Sequence, residues 1–377
     1  MTEIGIGLIG SGFMGKCHAL AFRAAKAVFG GSINPRLELL CDMPAEQAKK
    51  MAAQFGFARA TDDWRQLAND PAVDVVSITT PNKLHHEMAM AAIAAGKHVY
   101  CEKPLALTLA EACEMRDAAA AAGVCTMVGY NYIKNPVFTL ARELIAKGEI
   151  GKIIHFRGTV DEDYQADPEL PWTWRSLRAE AGLGALGDLG CHLISMALGI
   201  VGPVESLLAD MQTVHATRPL PGGNGRRDVE NEDVASALLR FENGVQGIVA
   251  ISRVAWGRKN HLAFEVHGDK GMLCFDQERM NELRLYRNTK EKNIQGFQTI
   301  LAGPEHPPYG NFCPAPGHGL GFNDLKTIEA AYFLQAIADG GNSYPDFADA
   351  VEFEKIIHAI AIAARTQKRV YIADLPA

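Results

Sequence analysis

The sequence predicts an α/β chain of two domains: a doubly wound parallel sheet, then an α+β domain with an open, mostly antiparallel sheet. Three observations carry this. In the first third, short β-type runs alternate with Ala-rich helical stretches, the pattern of βαβ units. A glycine triplet, Gly10-Ser11-Gly12-Phe13-Met14-Gly15, stands where the first run gives way to the first helix. After about residue 130 the alternation stops and hairpin signals replace it. The division therefore falls into residues 1–130 and 131–377.

The early strands are Ile4–Ile9, Leu37–Cys41, Val73–Thr79, His98–Cys101 and Thr126–Val128. Between them lie helices at Pro44–Phe55, Leu84–Ala95 and Leu109–Ala122, with Pro44 suited to a first turn and Gly56, Gly96 and Gly123 to C-terminal caps. Beyond residue 130 a helix at Val137–Ala146 precedes a strand at Lys152–Val160. Further strands are expected at Val204–His215, Val234–Phe241, Val245–Val254, Leu262–His267 and Met272–Phe275. Glu242-Asn243-Gly244 and Gly268-Asp269-Lys270-Gly271 read as tight turns. The Pro- and Gly-rich stretches Arg218–Arg227 and Gly303–Gly321 read as long loops. Helices at Leu325–Ala338 and Ala348–Thr366 and a strand at Arg369–Ile372 close the chain.

Composition narrows the function classes. The 377 residues are 48% hydrophobic and 21% charged, enough for about two ordinary cores. Their 37 Lys+Arg against 44 Asp+Glu, a net charge of −7, argues against nucleic acid as a partner. No uninterrupted apolar run approaches the ~20 residues of a membrane span, so no membrane partner is expected. The first apolar run has no basic stretch before it and holds Gly5, Gly7 and Gly10, which disfavours a signal peptide. Eight cysteines without a CxxC pair read as small buried residues in a reducing compartment, hence a cytoplasmic location.

The glycine triplet sits at the first βα junction. There the first glycine permits the tight turn, the second admits a pyrophosphate, and the third lets the helix pack on the strand. This predicts dinucleotide binding by 1–130. Asp42 ends the second strand, 27 residues after Gly15, the segment Phe29–Pro35 supplying the extra length. A carboxylate there accepts ribose hydroxyls and repels a 2′-phosphate, and Met43 follows it rather than an arginine, so NAD is expected over NADP. Asp42 also suits a helix N-cap ahead of Pro44, which is compatible with that role. Thr80, Pro81 and Asn82 end the fourth run, where such sheets bind ligands. His85 and His86 sit beside Glu87, but adjacent helical residues point apart and no HExxH occurs, so no metal site is expected.

Two constellations suit acid–base chemistry. Glu102-Lys103-Pro104 follows an apolar strand directly, putting a lysine at the carboxyl edge of the sheet. In Gly187-Asp188-Leu189-Gly190-Cys191-His192, the aspartate and histidine are four apart and share a helix face, a carboxylate that can orient an imidazole. Each has a plainer reading, a solvated lysine in one case and an N-cap with a core histidine in the other.

Taken together, the glycine triplet, the Glu102-Lys103-Pro104 triplet and the Gly187-Asp188-x-x-x-His192 signature resemble the Gfo/Idh/MocA oxidoreductases over essentially the whole chain, including Val128-Gly129-Tyr130-Asn131. The resemblance implies an N-terminal Rossmann domain and a C-terminal domain that binds substrate and builds dimers or tetramers. It implies Lys103, Asp188 and His192 as the catalytic set. It extends the NAD contacts to Gly10, Gly12, Phe13, Met14, Gly15, Asp42, Thr80, Pro81, Asn82, His85, Glu102, Lys103 and Asn131. Substrate contacts are expected from Tyr132, Asp163, Trp174, Arg175, Asp188, His192, His318 and Asn323, with Trp174 and Arg175 alternatively covering the nicotinamide. The expected activity is NAD-dependent oxidation of a secondary hydroxyl of a cyclitol or sugar, scyllo- or myo-inositol first and L-glucose included. Tyr132 stands where inositol dehydrogenases often carry an arginine, which leaves the substrate open. The alternatives are an anhydrosugar of the levoglucosan type or a glycoside, and, in another class, a non-catalytic NAD-binding regulator.

Overall fold

A computed structural model describes residues 2–375. The chain divides into two units: residues up to Asn131 with Gly321–Glu352, and Tyr132–Leu320 with the chain from Phe353 onward. The division expected at residue 130 left 321–352 in the second domain, whereas this segment packs with the first.

In the first unit the strands are β1 (Thr2–Ile9), β2 (Ile33–Cys41), β3 (Arg59–Thr61), β4 (Val75–Ile78), β5 (His98–Cys101) and β6 (Thr126–Val128). They form one parallel sheet in the order β3-β2-β1-β4-β5-β6. Parallel strands covered on both faces must be apolar throughout, and β4 is buried at all four positions. The intervening helices are α1 (Phe13–Phe29), α2 (Ala45–Phe55), α3 (Trp64–Asn69), α4 (His85–Ala94) and α5 (Leu109–Ala122). Gly56 and Gly123 adopt the left-handed conformation that ends α2 and α5, as their positions predict. Helix α10 (Phe322–Asp339) packs against α1, with Ala330, Phe333 and Leu334 joining Phe22 and Ala25 in one core. Because the strands are all parallel, the loops after β1, β2, β4, β5 and β6 gather at one edge of the sheet, and the reversal of strand order between β1 and β4 opens a crevice there.

The second unit is built on nine strands, mostly antiparallel. These are β7 (Ile153–Asp161), β8 (Val204–Gln212), β11 (Val234–Phe241), β12 (Gln246–Ser252), β13 (His261–Gly268), β14 (Gly271–Asp276), β15 (Glu282–Arg287), β16 (Phe297–Leu301) and β17 (Val370–Tyr371). They lie in the order β16-β15-β14-β13-β7-β12-β11-β8-β17, with β7 and β12 the parallel pair. Helix α8 (Cys191–Val201) packs on β7 and β13, and α6 (Pro136–Ala146) on α8 and β15. Alternation along β11 buries Ala235, Ala237, Leu239 and Phe241 and exposes Ser236 and Leu238. Across strands β8, β11 and β12, Leu208, Leu238 and Ile248 stand side by side on that outer face.

Some expectations needed correcting. Arg218–Arg227, read as a loop, contains a two-stranded hairpin of β9 (Thr217–Pro219) and β10 (Arg226–Asp228). Arg226 holds it by donating to the Thr217 hydroxyl and carbonyl. The Gly303–Gly321 stretch contains a short helix, α9 (Tyr309–Phe312). The segment Arg178–Val201 is apolar and long enough to cross a membrane by composition, although Glu180, Asp188 and His192 interrupt its apolar run, and 78% of its most apolar window is buried inside the protein. That burial marks a core segment.

Candidate functional site

Each unit contributes its own group of candidate residues, beginning with the turn after β1. Gly10 has φ +93°, a conformation that side chains rarely adopt, and a Cβ on Gly15 would lie 2.1 Å from the Gly10 carbonyl oxygen. A Cβ on Gly12 would meet nothing within 4 Å. Thr79 secures the turn by donating its hydroxyl toward the Ile9 and Gly10 carbonyls, at 3.0 Å each. Helix α1 then starts at Phe13 without a side-chain cap. Open space beside Gly12 and uncapped N–H groups on a 17-residue helix suit a pyrophosphate. Phe13 projects into solvent and stacks on Phe322, ring centroids 5.7 Å apart, and Met14 is half-buried behind it.

Asp42 follows β2 and faces a cavity of about 610 Å³ that Ser11, Met43, Gln47 and Lys50 also line. Its carboxylate accepts from Ser11 N at 3.0 Å, from the Ser11 hydroxyl, and from Met43 N at 2.7 Å. Lys50 brings an ammonium to the same wall, which the sequence reading did not single out. Asn131, after β6, is 1% exposed and its amide nitrogen has no hydrogen-bond partner. An orphaned buried donor at the ligand edge of the sheet also fits a bound dinucleotide. Thr80, Pro81 and Asn82 are half-buried on the loop after β4.

Glu102 and His85 are turned inward. Glu102 is 5% exposed, and its Oε1 meets His18 Nε2 at 2.8 Å and Lys326 Nζ at 2.6 Å. The chain of contacts continues from His18 to the Ser77 hydroxyl at 2.7 Å and from Lys326 to Glu329 at 3.0 Å. Tyr100 donates to Glu329 at 2.5 Å. Burial alone pushes the Glu102 carboxyl up, but Lys326 and His18 outweigh it and hold it well below the usual range. Burial lowers Lys326, yet the two carboxylates beside it raise it overall. Burial raises Glu329, and it lowers His18. Lys103, next along the chain, is half-buried, and its backbone N–H donates to Glu102 Oε2 at 3.3 Å.

In the second unit the segment before α8 departs from expectation. Asp188 lies in a π-helical turn, Leu186–Gly190, rather than on one regular helical face with His192. Such turns recur at functional sites. Buried Glu232 supports its start by accepting Leu186 N at 3.0 Å, and its own carbonyl accepts Ala185 N at 3.0 Å. The Asp188 carboxylate accepts the Tyr164 hydroxyl at 2.8 Å, and Arg175 Nε lies 3.9 Å from it. His192 is 5% exposed, and its ring tilts against Tyr132 with centroids 4.5 Å apart. The Tyr132 hydroxyl accepts from Asn260 at 2.8 Å. Tyr132, Tyr164 and Arg175 thus gather around Asp188 and His192, and Arg175 also lies over the Trp174 ring at 4.5 Å.

Other expected substrate residues have contacts or surroundings of their own. The Asp163 carboxylate is taken by Lys259 at 2.6 Å and Gly257 N at 3.1 Å. His318 is exposed, its Nδ1 near the Ala315 and Pro316 carbonyls of its own loop, and Asn323 is exposed near the start of α10 in the first unit. Sequence reasoning missed His18, Lys326, Glu329 and Glu232. For Lys326 and Glu329 the sole signal was a charged pair three residues apart on an otherwise apolar helix. Among the described residues one further group, His261, Asp276 and Glu278, has metal-like spacing. Glu278 there already accepts Lys259 N at 2.8 Å and pairs with Arg258.

Comparison with known proteins adds to this geometry. Residues 4–130 match the oxidoreductase family with an NAD-binding Rossmann fold, and residues 138–274 match the GFO/IDH/MocA C-terminal domain. A levoglucosan dehydrogenase of Pseudarthrobacter phenanthrenivorans is 39% identical across 100% of both chains. The solved structure of a levoglucosan dehydrogenase in complex with NADH and levoglucosan superposes with a TM-score of 0.95, at 40% identity over 98% of this chain and 100% of that one. An inositol dehydrogenase homologue from Azotobacter vinelandii, complexed with NADH and myo-inositol, superposes with a TM-score of 0.83 at 25% identity over 98% of both chains. Two halves matched in the right order and a full-length relative make this chain a member of the GFO/IDH/MocA oxidoreductases, with an NAD-binding Rossmann domain at its amino-terminal end.

Proposed function

We propose that this protein oxidises a secondary hydroxyl on a cyclic, monosaccharide-sized polyol, with an anhydrosugar of the levoglucosan type as its preferred substrate. The observation that carries this reading is the likeness to levoglucosan dehydrogenase over the entire length, at higher identity than the inositol relatives reach. It reverses the order expected from motifs alone, which ranked inositols first. Inositol remains the second reading, supported by the myo-inositol complex of the Azotobacter vinelandii homologue. A non-catalytic regulator is disfavoured because Lys103, Asp188 and His192 all stand.

Bound NAD supplies the hydride acceptor; the remaining work belongs to the chain. His192 takes the hydroxyl proton as general base, Asp188 orients the imidazole and stabilises its charged form, and Lys103 stabilises the alkoxide-like oxygen. Tyr132 and Arg175, gathered around Asp188 and His192, are the substrate contacts the geometry favours, with Trp174 stacked beneath Arg175. Asp163, His318 and Asn323 remain proposed contacts without a comparable placement. The Asp42 carboxylate favours NAD over NADP. NAD reduction assayed against levoglucosan, myo-inositol and common aldoses tests the reading: turnover with levoglucosan is expected, and turnover with none of them overturns it.

A homo-oligomer, a tetramer or a dimer, belongs to the same proposal. Leu238 and Ile248 are 53% and 43% exposed on the outer face of the second unit's sheet, and an apolar row of this kind is ordinarily covered by a partner. Light scattering should give a multiple of 40.8 kDa, and a 40.8 kDa species alone at micromolar concentration would contradict it. The eight free cysteines suit the reducing cytoplasm, the compartment we assign.

A further inference from the structure

His85 opens α4 and is completely buried. Its Nδ1 lies 2.9 Å from the Pro104 carbonyl oxygen and its Nε2 lies 3.0 Å from the Thr80 carbonyl oxygen. Both partners are acceptors only, while a neutral imidazole has a single N–H to give. Burial lowers the basicity of the ring, although the Pro104 and Thr80 carbonyls and the Glu102 charge oppose it. Each ring nitrogen thus faces a carbonyl of its own.

The two carbonyls belong to different loops. Thr80 lies on the loop after β4, and Pro104 directly follows Lys103 on the loop after β5. Strands β4 and β5 are neighbours, so both loops emerge at the edge of the sheet where the cofactor is expected. One ring thus spans the loop that carries the lysine and the loop that carries the expected cofactor contacts Thr80, Pro81 and Asn82. Direct contact with NAD, the role first expected of His85, does not suit a side chain with no exposed surface.

We propose that His85 is a positioning residue with two separable contacts, Nδ1 at the Pro104 carbonyl setting the place of Lys103 and Nε2 at the Thr80 carbonyl setting the cofactor-side loop. The inference rests on the reading of Lys103 as catalytic. Separability follows from geometry, because an asparagine amide reaches the position of Nδ1 and a glutamine amide that of Nε2. His85→Asn retains the Pro104 bond and His85→Gln the Thr80 bond.

The test uses the full-length protein, levoglucosan and NAD, and titrates NADH by its fluorescence. All measurements are made below each variant's own unfolding midpoint. H85N should keep kcat within a few-fold while NADH affinity falls ~10-fold or more; H85Q should keep NADH affinity and lose ~10-fold or more in kcat, because small misplacements of reacting groups are costly. Equal effects of the two variants on both quantities overturn the proposal, as does failure of both to fold, since the ring would then be a support for the whole unit. Lys103→Ala is the control. Wild-type turnover in K103A would mean that the reading of Lys103 has failed, whereas lost turnover in K103A without a split between H85N and H85Q would refute the His85 assignment alone.

Discussion

Alanine at His192 or at Lys103 is expected to lower kcat by ~10²–10⁴-fold, the usual worth of a positioned acid–base group, and in H192A NADH affinity should stay within a few-fold. His192 is not among the expected NAD contacts, whereas Lys103 is. Turnover of the unaltered enzyme should rise with pH as the base sheds its proton, and H192A should lose that limb. The competing account is specific to the surroundings of His192, which is buried against Tyr132 and sits on a helix packed into the sheet. If it serves only to fill that space, H192A should lower the unfolding temperature and leave the turnover of the remaining folded protein near wild type. Unfolding temperature and kcat measured on one preparation separate the two accounts, and preserved turnover with lost stability would refute the catalytic role.

Lys326→Met is expected to destabilise the protein by ~3–5 kcal/mol, the cost of breaking a buried ion pair by removing one partner. Lys326 is fully buried and pairs with Glu102 at 2.6 Å and Glu329 at 3.0 Å. Without it Glu102 is an uncompensated buried carboxylate, with His18 its remaining partner in the cluster. The pH dependence follows from the two shifts. Glu102 is depressed, so its contribution is fully present above the ordinary carboxylate pKa of about 4.3 and is lost as pH falls through its folded value. Lys326 is raised, so its contribution is fully present below about 10.4 and is lost as pH rises through its folded value. Between those limits the pair contributes fully, and K326M should lose most stability in this window. Adding Glu102→Gln to K326M should recover part of the loss, because the stranded charge is removed. A urea midpoint for K326M equal to that of the unaltered protein would contradict the account.

What could be read from the sequence was what lies close along the chain. Strand β5 and helix α5 were bounded at the observed residues because apolar runs and terminal glycines are local signals. Strand β3 escaped because Arg59-Ala60-Thr61 is exposed to half-buried and is no apolar run, and β16 because its exposed edge positions lack one as well. The hairpin of β9 and β10 was hidden by a Pro- and Gly-rich composition that reads as loop, though Arg226 bonds it together. The site divides in the same way. Gly10, Gly12, Gly15 and Asp42 stand within one βαβ unit and were found from spacing. The partnership of Glu102 with Lys326 spans 224 residues, a separation at which single-sequence patterns say nothing. Asp188 and His192 were found as a pair, but the π-helical turn was not, since it depends on Glu232 reaching Leu186 from 46 residues away.

The central claim is that this chain removes hydride from a ring carbon bearing a secondary hydroxyl. Mixing the protein with NAD and levoglucosan, and following NADH by absorbance and the carbohydrate by NMR, tests it most directly. The account predicts one ring ketone and one proton released for every NADH formed, with NAD preferred over NADP. NADH formation without a ring ketone, or no NADH from levoglucosan, myo-inositol or any aldose, would contradict it.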